Sequence, residues 1–506
     1  MVKKISLIVL IIKTFFRRYL IRIKVFFKIP FFTHSHTDKV LLNHHQTGLH
    51  ISDVRRFSKE TRNYFILLFL LIICLAVWLK LGPFFRHDAV IVEAVIGSYT
   101  SNNLPVSVTS LISEPLVKFD DQGHPQPNLV SGWQVNSDAT VYTFRLKDNL
   151  YWQDGTAVLS SDIEIKLSDV DVTYPDNQSI EFKLVDSFSP FPGLLTNPVL
   201  KKGTLIGMGK FKVVEEKRSH GLIAELDLIS NTVLSEAKRE EIQALSIRFY
   251  PDETTAVTAF SLGEANVLLG LNNEIDLVEW PGIKEVRLPS FNKILAIFFN
   301  TKDPILSDKN FRKALSISIP DIEGEERLKN SIPSRSWAYN DTTKDINGDL
   351  ELAESFLDRV SAGKDKTITL ITTPVFESVG KVVVEAWKKL GLSVLLRVES
   401  GIPQNFQALL ITQPIPADPD QYALWHSTQS KTNISGYDSK RIDKDLEDGR
   451  KTADLAKRKE KYLDFQRVLA DDAPAAFLYF PKTKVIYRQK IEEDLNKILP
   501  LQTQYW

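Results

Sequence analysis

The chain has 506 residues, 43% of them apolar and 25% charged, more than one compact core absorbs, so two or more domains are expected. Its formal net charge of zero hides a split: residues 1–63 carry 13 Lys/Arg against Asp38, Asp53 and Glu60, and the remaining 50 basic and 60 acidic residues leave the rest at −10. A large part with that balance is not a nucleic-acid-binding surface, so no nucleic-acid partner is expected, and the basic part reads as a membrane-surface segment.

Residues 5–32 mix apolar runs with Lys13, Arg17, Arg18, Arg22, Lys24 and Lys28, a pattern for a helix lying on anionic lipid, with a short membrane insertion as the alternative. Five histidines follow (His34, His36, His44, His45, His50) without the cysteines or ordered carboxylates of a metal site, so they read as a solvated linker and no metal is expected. Tyr64 to Leu79 carries no charge, and with Lys80 to Phe85 it reaches the length of a bilayer core. Arg55, Arg56, Lys59 and Arg62 place its N-terminal side in the cytoplasm, so 64–85 is expected to be a single transmembrane helix with the main domain outside. Cys74 is the only cysteine. Ile73 before it is too bulky for a lipid-attachment site, and no small-residue cleavage site follows the apolar run.

Beyond the membrane segment, Ala89–Ile96 reads as a strand, Gly97–Pro105 as a polar loop and Val106–Leu116 as a helix. Gly132 to Gly155 is the most informative stretch. Trp133 and Val135 lead into Asn136-Ser137-Asp138-Ala139, and Tyr142, Phe144 and Leu146 then alternate with Thr143, Arg145 and Lys147, the period-two pattern of a half-buried strand. Trp152 precedes the Asp154-Gly155 turn. Further strands are expected at 169–173 and 179–185. Gly203 to Lys210 lacks the glycine spacing of a P-loop, and Phe211 stands where Ser or Thr would meet magnesium, so its glycines read as structural. Asp252 caps an expected helix with Val257, Phe260 and Leu262 on its buried side and Gly263 at its end.

In the C-terminal half, Thr367–Thr373, Val375–Leu390 and Leu392–Glu399 form a strand–helix–strand unit that predicts parallel pairing, and Gln407–Thr412 a further strand. No G-x-G-x-x-G accompanies it, and no cofactor is expected. Asp454 to Ala470 is amphipathic, with Leu455, Tyr462, Phe465 and Leu469 at helical spacing, and Ala475–Phe480 is a strand. No H-E-x-x-H, nucleophile elbow or cysteine outside the apolar run is present, so catalysis is not expected.

The Trp-turn-strand-Trp-x-Asp-Gly run at 133–155, the Pro251-Asp252-Glu253-Thr254 helix and the Ala417-Asp418-Pro419-Asp420-Gln421-Tyr422 run with Trp425, Asn433, Gly436 and Tyr437 stand in one order. In that order they resemble the family 5 extracellular solute-binding proteins, the peptide, oligosaccharide and nickel receptors of bacterial ABC importers. The resemblance covers about residues 90–490. It implies an α/β, two-lobe periplasmic-binding-protein-like fold (type II, large peptide-receptor subclass), here with an N-terminal transmembrane helix. Lobe 1 would span 86–288 with 476–506 returning to it, and lobe 2 would span 289–475. It also implies capture of an oligopeptide or similar small solute in the interlobe cleft, delivered to ABC permease subunits at the membrane. A degenerate sensor or scaffold, or an extracytoplasmic hydrolase, are the alternatives. By the same resemblance the cleft is lined by Tyr99, Asn102, Asn103, Asp418, Tyr422, Trp425 and Asn433. One departure stands out. Peptide-binding members place an Asp ahead of the Asp-Pro run to pair with the peptide ammonium, and here that position is Ile415, which cannot make a charge-assisted bond.

Overall fold

The computed structural model describes residues 91–231, 244–271, 280–343, 347–360, 365 and 367–498, all within the structural unit Arg86–Trp506. The basic segment 1–63 and the expected transmembrane helix 64–85 lie outside the described residues. Among the described residues no helix is long and apolar enough to cross a membrane.

The first lobe opens with β1 (Ile91–Ile96), α1 (Val106–Ile112) and the short pair β2 (Val117–Phe119) and β3 (Pro125–Pro127). The hairpin follows as β4 (Val130–Val135) and β5 (Val141–Leu146), then β6 (Val170–Asp176) and β7 (Ser179–Leu184). Next come β8 (Phe211–Ser219), β9 (Leu222–Ser230), β10 (Ala244–Tyr250), α2 (Glu253–Leu262), β11 (Val267–Leu271) and β12 (Ile283–Pro289). The second lobe comprises β13 (Lys293–Phe299), α3 (Lys309–Ile317), α4 (Leu350–Leu357), β14 (Thr367–Thr372), α5 (Glu377–Lys389), β15 (Ser393–Val398) and β16 (Ala408–Pro414). It continues through α6 (Tyr422–Trp425), α7 (Lys440–Lys451), α8 (Leu455–Asp472) and β17 (Ala475–Tyr479), and the chain then returns to the first lobe as β18 (Lys482–Arg488) and α9 (Glu492–Ile498).

Lobe 1 holds a seven-stranded sheet in the order β12-β18-β11-β1-β10-β9-β8, with β1 parallel to both neighbours. Beside it a four-stranded antiparallel sheet, β4-β5-β7-β6, has its own core of Phe144, Trp152, Phe182 and Phe191, all fully buried. The alternation seen in the sequence is what builds it, since Tyr142, Phe144 and Leu146 point inward and Arg145 outward. Asn136 closes the hairpin turn by accepting from the amides of Thr140 and Val141 at 2.9 and 3.0 Å. Trp152 is core, and Trp133 tilts against Phe144 at 5.5 Å. Gly207 and Gly209 lie so close to the backbone of Ile112 and Ser113 that no side chain fits there; at Gly209 a Cβ would meet the Ile112 carbonyl carbon at 2.6 Å.

Lobe 2 is a five-stranded sheet in the order β15-β14-β16-β13-β17, and β14 pairs parallel with β15 as the strand–helix–strand pattern predicts. It is covered on both faces. Leu295, Ile297 and Phe299 of β13 pack with α3, α4 and α5, while Ile294, Ala296 and Phe298 pack with α6, α7 and α8. A near-continuous apolar strand is what such double burial requires.

Two expectations are corrected. Helix α1 ends at Ile112, not Leu116, because Ser113 is extended (φ −147°) and gives its hydroxyl to the Val199 carbonyl, and Pro115 follows. Leu262 is 72% exposed, and the buried positions of α2 are Ala256, Ala259 and Phe260. Two positions beyond Phe260 is a rotation of about 200°, which carries Leu262 to the opposite face. The caps hold as read: Asp252 accepts from the Thr255 amide at 2.9 Å, and Gly263 closes the helix with φ +80°.

The chain passes between lobes at Ser290–Asn292 and again at Phe480–Pro481, so the return lies past the expected 475 and β17 belongs to the lobe 2 sheet. The two crossings are tied together. The Ser290 amide donates to the Pro481 carbonyl at 2.8 Å, the Ser290 and Thr483 hydroxyls lie 2.6 Å apart, and Phe291 meets Phe480 edge-on at 4.9 Å.

Candidate functional site

The Asp-Pro run forms a tight loop because aspartates bond their own backbone two residues on. Asp418 accepts from the Asp420 amide at 3.0 Å, and Asp420 from the Tyr422 amide at 3.2 Å. Gln421 then locks the loop inward, donating to the Ser331 carbonyl at 2.7 Å and accepting from the Trp425 indole at 2.9 Å.

The two aspartates turn to two arginines. Arg458, in the first turn of α8, grips Asp418 with both terminal nitrogens at 2.8 and 3.2 Å, and also donates to the Gly449 carbonyl at 3.0 Å and the Tyr462 hydroxyl at 3.0 Å. Burial opposes its charge, but the attraction of Asp418 prevails and holds the guanidinium even more firmly protonated than usual. Arg450, near the end of α7, donates to Asp420 at 2.9 and 3.1 Å. Burial raises the Asp420 pKa, with Arg450 pulling the other way.

This corner of lobe 2 abuts the four-stranded part of lobe 1. Ser189 donates its amide to the Arg450 carbonyl at 2.7 Å and its hydroxyl to the Gly449 carbonyl at 3.2 Å. The Arg450 guanidinium lies 4.0 Å from the Tyr422 ring and 5.0 Å from that of Phe188, so one cation is sandwiched between a ring from each lobe. Gly193 backs onto Asp418, with room for little more than a hydrogen there because Phe119 stands 2.9 Å from where its Cβ would be. Tyr142 donates to the Phe188 carbonyl at 3.0 Å; burial pushes its pKa up to about 12, partly offset by the Arg458 charge across the boundary. A second contact sits alongside, where the Trp337 amide donates to the Gln122 carbonyl at 2.8 Å and its indole stacks on His124 at 5.8 Å.

Of the residues expected to line a cleft, Asp418 and Tyr422 stand at this boundary. Trp425 lies behind it, 2% exposed and packed against Phe298 and Phe477 at 6.1 Å each. Asn433 is also buried and holds its own loop, donating to the Tyr437 carbonyl at 2.8 Å and accepting its amide at 3.2 Å. Tyr99, Asn102 and Asn103 form a separate group on the loop after β1. Tyr99 bonds the Ile96 carbonyl at 3.0 Å and packs on Phe249, Asn103 accepts from the Thr100 amide at 2.5 Å, and exposed Asn102 receives Lys166 on its carbonyl at 3.4 Å. These partners are all in lobe 1. Ile415 is 5% exposed and packs in the lobe 2 core.

Arg450, Arg458 and Ser189 were not singled out from the sequence. The signal for the arginines was there: Arg458 is one helical turn before Tyr462 on the apolar stripe of α8, and Arg450 is one turn after Leu446 and two after Ile442 on α7. An arginine on a buried stripe demands an anion. Ser189 carried no comparable signal. With its aspartates and arginines paired, this arrangement can clamp two surfaces and order a loop.

A family model described as bacterial extracellular solute-binding proteins, family 5 middle, matches residues 124–434. The probable D,D-dipeptide-binding periplasmic protein DdpA of Escherichia coli K12 is 22% identical over 453 residues, covering 75% of this chain and 85% of that protein. The oligopeptide-binding protein AppA of Bacillus subtilis 168 is also 22% identical, covering 78% and 85%. Among solved structures, NikZ of Campylobacter jejuni in complex with Ni(L-His) superposes with a TM-score of 0.59 at 21% identity, covering 79% of this chain and 94% of that one. The ABC transporter substrate-binding protein CtaP of Listeria monocytogenes does so with 0.64 at 19%, covering 79% and 93%.

Proposed function

This chain belongs to the family 5 bacterial extracellular solute-binding proteins, and from that premise we propose that it captures an oligopeptide or similar small solute between its lobes and delivers it to an ABC permease. The observation that carries the reading is that the matched span, 124–434, contains both sides of the boundary, from His124 and Phe188 in one lobe to Trp337, Asp418 and Tyr422 in the other. Binding energy then comes from lobe surfaces that meet in the closed form, with no chemical step. The loop Tyr99–Asn103 and Tyr422 meet the solute, while Asp418, Trp425 and Asn433 shape the loop that presents Tyr422. The apolar run 64–85 anchors the receptor, with residues 1–63 on the cytoplasmic side and the lobes outside. Anchoring raises the effective concentration of loaded receptor near its permease.

The buried Ile415 bears on the cargo. An apolar side chain there offers nothing to a peptide ammonium, so affinity depends on the rest of the solute. Calorimetry on the detergent-solubilised full chain tests both points, using a pool of short peptides with free or acetylated amines. Saturable binding that is insensitive to acetylation is expected. Binding abolished by acetylation contradicts the role given to Ile415, and no binding by any peptide pool favours a sensor or scaffold that has lost its cargo.

A further inference from the structure

The four-stranded sheet of lobe 1 borders a cavity of about 580 Å³, within the usual range of about 300–1,000 Å³ for small-molecule sites. Its floor is the end of β5 and the turn after it, where Arg145, Lys147 and Asn149 are exposed while Leu146 points into the core. One wall is the hairpin that Tyr151 and Ala157 close by a backbone bridge, and the other is the turn from β6 to β7 at Asp176-Asn177-Gln178. Each wall is braced. Asp154 accepts from Lys201 at 2.7 Å and from the Thr156 amide at 2.9 Å, and Asp176 accepts from the Gln178 amide at 2.8 Å and the Ser179 hydroxyl at 2.9 Å. The walls are also tied to each other. Ser160, next to Leu159, donates its amide to the Asn177 carbonyl at 2.9 Å and its hydroxyl to the Asp176 carbonyl at 2.6 Å. A site held in shape by its own backbone needs little ordering when a ligand arrives.

The side chains lining this rigid frame are largely uncommitted. Lys147, Asn149, Tyr151 and Asn177 make no side-chain hydrogen bond or ion pair among the described residues. Charge balances locally, with Arg145 and Lys147 against Asp148 and Asp176, and the Gln178 side chain joins Arg145 at 3.2 Å to Asp148 at 3.0 Å. A simple ion therefore meets no surplus field to concentrate it. Apolar surface stands beside these polar groups, since Tyr151 is 47% exposed and Leu159 37%. A wholly apolar ligand would cover the amides and the ammonium without pairing them. The lining suits a molecule with an apolar face and a rim of groups that both donate and accept, which describes a sugar ring. We propose that this cavity binds a short neutral oligosaccharide, one ring lying on Tyr151 and Leu159 and its hydroxyls paired with Lys147, Asn149, Asp176 and Asn177. It is a second site, independent of solute capture between the lobes.

The test is saturation-transfer NMR and calorimetric titration of the full chain, solubilised in a detergent without a sugar headgroup. The probes are maltotriose, cellotriose and triacetylchitotriose, with benzoate and benzylamine as ionic controls. At least one trisaccharide is expected to bind with one site per chain and with an affinity that salt leaves unchanged. The double variant Tyr151→Ala/Asn177→Ala, at exposed positions, should weaken that binding about tenfold or more while the melting temperature stays put. No binding by any of the three trisaccharides, an ionic control binding as tightly as the best of them, or affinity unchanged in the double variant would each overturn the proposal.

Discussion

Asp418 and Asp420 stand two residues apart, each held by an arginine through two hydrogen bonds, yet the pairs face different surroundings. The Asp418–Arg458 pair is sealed, with side chains 9% and 5% exposed, and every remaining donor of Arg458 named above goes to lobe 2. In the other pair Asp420 is 6% exposed but Arg450 is 29% exposed, and its guanidinium and carbonyl both reach lobe 1. The same chemical pair therefore serves as an internal brace in one place and as a contact between the two lobes in the other. Removing either arginine strands a buried aspartate, but Arg458 also gives up its bonds to Gly449 and Tyr462, whereas burial already raises the Asp420 pKa and eases its protonation once Arg450 is gone.

The largest expected effect is at the sealed pair. Arg458→Leu strands Asp418 and should cost roughly 3–5 kcal/mol in chemical denaturation, with lobe 2 losing its cooperative transition first. A cost below that of the matching Arg450→Leu variant would break the comparison. A buried carboxyl with no ion-pair partner among the described residues calibrates it. Burial alone pushes the Glu93 carboxyl, beside Ile91 and Val95 in β1, up to about 7. The unfolded carboxyl ionises near 4.5 while the folded one keeps its proton, so stability is full below about 4.5, falls as pH rises towards 7 and then levels. The loss is on the order of 3 kcal/mol, and Glu93→Gln should flatten that part of the pH profile.

Next in size is the support beneath both pairs. Gly449 lets α7 approach α8, and a Cβ there would meet the Tyr462 ring at 2.9 Å. Gly449→Ala should destabilise by about 1–3 kcal/mol and disturb both arginines, seen as a lowered melting temperature. Arg450→Leu strands the buried Asp420 and should cost about 1–3 kcal/mol, less than Arg458→Leu, and its signature is different in kind. Small-angle scattering should show a larger radius of gyration and stopped-flow a faster solute release, effects that Arg458→Leu should lack at temperatures where it remains folded. An unchanged radius for Arg450→Leu would reduce that contact to decoration.

Much of this was legible in the residues. Hairpin alternation at Tyr142, Phe144 and Leu146, the Asp252 cap, and the order of the landmark motifs carried the architecture, because period and capping are local properties. The boundary contact was less so. Trp425 has the look of a ligand platform in the sequence, but α6 turns its indole inward to Gln421, and only the packing of β13 and β17 behind it explains why. Ser189 and Arg450 are 261 residues apart, and no local pattern announces a backbone bond between them.

Solute capture between the lobes is tested most directly by native mass spectrometry of the gently solubilised full chain, in wild type and Arg450→Leu. The account predicts a series of added peptide-sized masses on the wild type that is depleted in Arg450→Leu. A bare protein mass in repeated wild-type preparations, persisting after incubation with peptide pools, would contradict it.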